Sequence, residues 1–142
     1  MHSAEVTFLI IDDNDVSRSM MRHVLNSHKF KVVGEAASAQ VGLELFEKLE
    51  PSVVCLDIGL PDRSGLEVLK RMKELAPATE VLMVTGSNDR NSVMEAVQGG
   101  AAGYIVKPFN PATLLRTVEQ AAAKATGSLP TAPVAKAVDK PE

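Results

Sequence analysis

At 142 residues, with 45% hydrophobic and 23% charged residues and a net charge of -3, the chain is long enough for one domain with a full core. With 15 Lys and Arg against 18 Asp and Glu and no basic stripe, it is not built for nucleic acid. One cysteine excludes an internal disulfide, and the absence of a signal-peptide pattern or long apolar span predicts a cytoplasmic protein that does not enter a membrane.

Val6-Thr-Phe-Leu-Ile-Ile11 reads as a first strand that stops at acid, Asp12-Asp13-Asn14-Asp15. Asn14 or Asp15 is placed to cap the helix that follows. That helix is expected to turn Val16, Met20 and Val24 inward, with Met21 and Leu25 beside them. Residues 31–36 form a second, shorter strand. A helix from about Ser38 follows, with Val41, Leu45 and Leu49 inward and Pro51 stopping it.

Val53-Val54-Cys55-Leu56 is a continuous apolar run, as expected of a strand buried on both faces, and it ends at Asp57. Beyond the Pro61–Gly65 loop, Leu66, Leu69, Met72 and Leu75 mark a helix ended by Pro77. Residues 80–85 form the fourth strand, closing on Thr85 and Gly86. A helix through Val93, Met94 and Val97 stops at Gly99-Gly100. Tyr104-Ile-Val106 is the fifth strand, ending in Lys107-Pro108. The last helix carries Leu114, Leu115, Val118, Ala121 and Ala122 on one side. Residues 1–125 are thus one domain, and 126–142, without periodicity, read as a disordered tail or the start of a linker.

Five strand-helix units in strict alternation predict an α/β fold: a five-stranded parallel sheet with helices on both faces, a three-layer (βα)5 sandwich. Knowledge of flavodoxin-like folds supplies the strand order 2-1-3-4-5 and puts ligands outside the carboxyl ends of the strands. Four of the five strands end in reactive groups there: Asp12 and Asp13, Asp57, Thr85, Lys107. Singly, each is explained by a cap, a turn or a solvated lysine. Together they describe three converging carboxylates that must raise a pKa or hold a cation. With no His or Cys placed among them, that cation is Mg²⁺ or Mn²⁺. A carboxylate nucleophile, a metal clamp and donors from Lys107 and Thr85 are the parts of a phosphoryl-transfer site.

Asp12-Asp13, Asp57 with Leu60-Pro61 and Gly65 behind it, Thr85-Gly86, and Gly100-Ala-Ala-Gly-Tyr-Ile-Val-Lys-Pro-Phe109 resemble the receiver domain of two-component response regulators, over roughly Val6 to Lys124. The resemblance implies that Asp57 takes a phosphoryl group from a sensor histidine kinase or a histidine phosphotransfer protein. Asp13, Asp57 and the backbone carbonyl of Gly59 would hold Mg²⁺, with Asp12 assisting through water. Lys107 and Thr85 would bind the phosphoryl oxygens, and the Lys107–Pro108 peptide would be cis. Thr85 and Tyr104 would form the switch, remodelling the face of helix 4, strand 5 and helix 5 for a downstream protein target. No nucleic acid or membrane contact is expected of this domain, as monomer or phosphorylation-dependent dimer. It would be a signalling domain rather than an enzyme, self-phosphorylating from small donors and slowly losing the group.

Four positions are singled out against that pattern. Ser52 stands where many receivers carry Asp, Gly42 lies inside a helix, and Gly59 and Ser87 flank the phosphoryl site, where they would tune access of water. Three other readings stay open. One is a phosphorylation-independent scaffold of receiver type. Another is a haloacid-dehalogenase-type phosphatase, from Asp13-Asn14-Asp15-Val16. The third is an FMN carrier, for which only Tyr104 is at hand to stack a flavin. His2, His23 and His28 are read as surface or helix residues.

Overall fold

The computed structural model describes residues 5–126. The strands are β1 (Thr7–Ile11), β2 (Lys31–Ala36), β3 (Val53–Leu56), β4 (Glu80–Thr85) and β5 (Gly103–Val106). The helices are α1 (Asp15–Ser27), α2 (Ala39–Leu49), α3 (Gly65–Leu75), α4 (Arg90–Gln98) and α5 (Pro111–Thr126). Apart from Thr126, which ends α5, the expected tail lies outside the described residues, as does His2. His23 and His28 are exposed.

All pairings are parallel and the order is β2-β1-β3-β4-β5. Alternation along β1 divides the core. Leu9 and Ile11 pack with α2, α3 and α4, whereas Phe8 and Ile10 pack with α1 and α5. The central strand β3 is wholly buried, as both-face coverage requires. Cys55 lies inside it, and burial pushes its thiol up to about 12, leaving it protonated and inert.

Each helix starts where a side-chain oxygen meets a free amide. Asn14 accepts from Ser17 N at 2.8 Å, Ser38 from Val41 N at 3.2 Å and Asp89 from Ser92 N at 3.0 Å. α2 has a second cap from far along the chain. Asp62 accepts from Ala39 N at 2.8 Å and Gln40 N at 2.9 Å, tying the loop after β3 to α2.

The inward faces differ from expectation on two helices, α1 and α2. In α1, Met21, Val24 and Leu25 are buried, while Val16 (68%) and Met20 (41%) are exposed. In α2, Ala39, Gly42 and Phe46 are buried and Val41 is exposed, with Leu45 packed partly against the core. Leu75 in α3 and Met94 in α4 also face solvent. Gly42 has a packing reason to be in a helix: a Cβ there would lie 2.6 Å from Ile11 Cδ1. Ser52 exchanges bonds with Thr7 at the far end of the sheet. Thr7 N donates to Ser52 Oγ and Ser52 N to Thr7 Oγ1, both at 3.1 Å.

Candidate functional site

The carboxyl ends of β1 and β3 lie side by side because Ile11 pairs with Leu56, so the residues that follow each strand meet. Asp12 is fully buried, Asp57 nearly so and Asp13 exposed. One carboxylate oxygen from each of the three falls within 4.8 Å of the others.

Lys107 reaches this cluster from the end of β5. Its Nζ donates to Asp12 Oδ2 at 2.8 Å and to Asp57 Oδ2 at 2.9 Å. Burial pushes the Asp12 carboxyl above its ordinary range, and the Lys107 hydrogen bond and charge offset only part of that. Burial works against the charge on Lys107 too. Its bonds to Asp12 and Asp57 and their negative charge outweigh that, so its pKa is raised and the ammonium is secure. The Lys107–Pro108 peptide is cis.

Behind Asp57 the chain turns tightly. Gly59 N donates to Asp57 Oδ1 at 3.1 Å, Gly65 N to the Ile58 carbonyl at 2.7 Å, and Gly59 and Ser64 form an isolated antiparallel bridge. A Cβ at Gly65 would collide with the backbone oxygen of Asp57 and come 2.7 Å from Ile58 Cα, whereas one at Gly59 would meet nothing. Only glycine fits this crossing.

Thr85, buried at the end of β4, accepts at Oγ1 from Ser87 N at 3.3 Å. The Ser87 carbonyl in turn accepts from the Tyr104 hydroxyl at 2.5 Å. Tyr104 is only 6% exposed. Burial first, then the charges of Asp89 and Asp57, push its phenol up to about 12. The ring is therefore turned inward with its hydroxyl bonded in the unmodified chain.

Thus Asp12, Asp13, Asp57 and Lys107 converge directly, Gly59 touches Asp57, and Thr85 and Tyr104 are joined through Ser87. Sequence reasoning missed Arg18 in α1, whose Nη1 donates to the Asp12 carbonyl at 2.7 Å. Its i,i+3 relation to Asp15 was the one local signal. Chemically, three hard oxygen donors fit Mg²⁺ or Mn²⁺, since among the described residues no imidazole or thiolate joins them. Beside the site a cavity of about 310 Å³ opens between α1 and the loop after β5, lined by Val16, Ser17, Met20, Lys107, Pro108 and Phe109. Among the described residues no helix is long and apolar enough to cross a membrane.

A parallel (βα)5 sheet with this acid-and-lysine crevice defines a class, and sequence comparison agrees with it. The response regulator receiver domain model matches residues 8–119, and the chain belongs to that family. The nitrate/nitrite response regulator protein NarL of Escherichia coli (strain K12) is 35% identical over 118 residues, 82% of this chain and 55% of that protein. The chain thus spans about half the length of that relative. The chemotaxis protein CheY of Listeria monocytogenes is 32% identical, the match covering 80% of this chain and 96% of the relative. A CheY-like receiver domain from Methanospirillum hungatei JF-1 superposes with a TM-score of 0.82 at 28% identity, covering 89% of this chain and all of that one. This is a two-component signalling domain.

Proposed function

We propose that Asp57 is the phosphoacceptor of this receiver, taking its phosphoryl group from a phosphohistidine on a sensor kinase or phosphotransfer protein. An Asp57 carboxylate oxygen attacks phosphorus as the P–N bond breaks. The electron pair returns to the imidazole nitrogen, which leaves neutral when the other ring nitrogen carries a proton. The observation that carries this reading is Lys107 bonded to both Asp57 and Asp12 (2.9 and 2.8 Å). An ammonium fixed there neutralises charge on the equatorial oxygens without reorganisation. Asp13, Asp57 and the Gly59 carbonyl would hold Mg²⁺ or Mn²⁺, with Asp12 acting through water, and the cation would supply further neutralisation of phosphoryl charge.

Phosphorylation adds about −1.5 to −2 charge and new acceptor oxygens. Thr85 Oγ1 turning to donate to one of them would give up its bond from Ser87 N. The Ser87 carbonyl holds the Tyr104 hydroxyl, so the change reaches the α4–β5–α5 face that meets a downstream protein. The exposed apolar side chains Val16 and Met20, beside Lys107 in the cavity described above, suit the docking of the donor protein, in the cytoplasm. The domain turns over no diffusible substrate beyond its own phosphorylation and hydrolysis.

The test is intact-protein mass after incubation with Mg²⁺ and acetyl phosphate. One added phosphoryl group is expected in the native chain, and none in Asp57→Ala or without Mg²⁺. An unmodified mass in every arm overturns the reading and leaves a phosphorylation-independent scaffold.

A further inference from the structure

Asp13 is exposed and, among the described residues, makes no side-chain hydrogen bond or ion pair. With no side-chain partner to hold it, the reach of its carboxylate toward Asp12 and Asp57 depends on where the bend between β1 and α1 places its Cα. One side chain grips that bend. Arg18 Nη1 donates to the Asp12 carbonyl at 2.7 Å, Nη2 donates to Asp15 Oδ1 at 2.5 Å, and Nε faces Glu35 Oε1 at 3.4 Å. Glu35, near the end of β2, is itself held by Arg22 Nη1 through both oxygens at 2.9 and 2.7 Å. One planar cation, with its side chain 18% exposed, thus links the end of β1, the first turn of α1 and the end of β2.

The carbonyl that Arg18 holds belongs to the Asp12–Asp13 peptide. Because that unit is planar, fixing its oxygen fixes the plane that carries N and Cα of Asp13, the base from which its side chain projects. Two further bonds hold Asp12 itself: its N donates to the Ala36 carbonyl at 2.9 Å, and Asn14 N to Asp12 Oδ1 at 2.9 Å.

We propose that Arg18 is a positioning residue for the divalent cation. By clamping the Asp12 carbonyl it aims Asp13 at the oxygens of Asp12 and Asp57. This rests on the metal reading above. Lysine keeps the charge but lacks the rigid fork, so Arg18→Lys separates aim from electrostatics. Loss of a group that orients metal ligands typically lowers affinity about 10–100-fold. An ion-pair role confined to the fold would lower the melting temperature and leave affinity alone.

The experiment is calorimetric titration of the full chain with Mg²⁺, repeated with Mn²⁺ by electron paramagnetic resonance. Native chain, Arg18→Lys, Arg18→Ala and Asp13→Asn are compared, with thermal unfolding of each apo form. Roughly tenfold or weaker binding in Arg18→Lys, with its melting temperature near native, is expected, and Arg18→Ala need not fold for that result to count. Binding by Arg18→Lys equal to the native chain overturns the inference while leaving the metal site intact. A native chain that takes up neither ion overturns the metal reading itself, and Arg18's role with it.

Discussion

The Tyr104 hydroxyl lies 2.5 Å from the Ser87 carbonyl oxygen, so the aromatic ring of β5 is latched to the loop after β4 before any phosphoryl group arrives. The same Ser87 gives its amide to Thr85 at 3.3 Å. Tyr104→Phe keeps the ring and removes the latch. Losing one neutral hydrogen bond, with the carbonyl left short of a donor, costs about 1 kcal/mol. Urea unfolding is expected to show that loss while acetyl phosphate still labels the variant. Native stability in Tyr104→Phe would mean that the latch holds nothing.

Lys107 sets a pH dependence whose sign follows from its partners. Asp12 has a raised folded pKa, so its carboxyl favours folding when protonated and opposes it increasingly as pH rises through the folded value. Lys107→Met removes the hydrogen bond and charge that restrain this rise. The variant's deficit is therefore expected to be small near pH 4 and full at neutral pH, about 2 kcal/mol for a buried pair with one partly exposed member. Lys107 has a raised pKa as well. On the alkaline side, its own contribution in the native chain holds from neutral pH up to the ordinary value of 10.5 and is lost only as pH climbs through the higher folded one. Urea midpoints of both proteins across that range check the sign. An equal deficit near pH 4 and at neutral pH would refute it.

Strand ends were legible because a buried parallel strand is a short apolar run that stops where its chemistry begins, as Leu56 stops before Asp57. Helix faces were less so. Val16, Met20 and Val24 are spaced by four, and at 3.6 residues per turn each step advances 40°, so the stripe drifts off the core. The buried set Met21, Val24 and Leu25 has the tighter i, i+3, i+4 spacing. The Asp62 cap on α2 and the Arg18 clamp on the Asp12 carbonyl were not legible. Each meets a backbone group whose position only the folded chain determines, and for Asp62 that group is 23 residues away.

Three glycines that look alike in sequence should respond differently to alanine. At Gly42 the substitution gains about 1 kcal/mol of helix propensity but drives a methyl against Ile11 Cδ1 at 2.6 Å. Overpacking of that kind costs about 1–3 kcal/mol, so a net loss of up to about 2 is expected. At Gly59 the methyl meets nothing, and stability should stay within about 0.5 kcal/mol. At Gly65 the methyl would strike the Asp57 backbone, so the loss should exceed about 4 kcal/mol and take phosphorylation with it. Guanidinium unfolding of the three variants ranks them. A Gly65→Ala protein that folds and phosphorylates normally would show that the β3–α3 crossing relaxes freely.

Asp62 joins the loop behind the proposed phosphoacceptor to α2, and its exposure makes the bond acid-sensitive. Backbone amides of Ala39 and then Gln40 hold its carboxyl below the ordinary carboxylate value. A depressed folded pKa contributes stability above the unfolded value of 3.8 and loses it as pH falls through the folded one. The negative charge also sits at the positive end of the α2 dipole. Asp62→Ala is therefore expected to unfold at lower urea than the native chain at neutral pH, with the two midpoints converging as pH drops below the unfolded value. Hydrogen exchange at the Ala39 and Gln40 amides should quicken in the variant, since those donors lose their acceptor. Unchanged exchange and equal midpoints at neutral pH would show that Ser38 alone caps this helix.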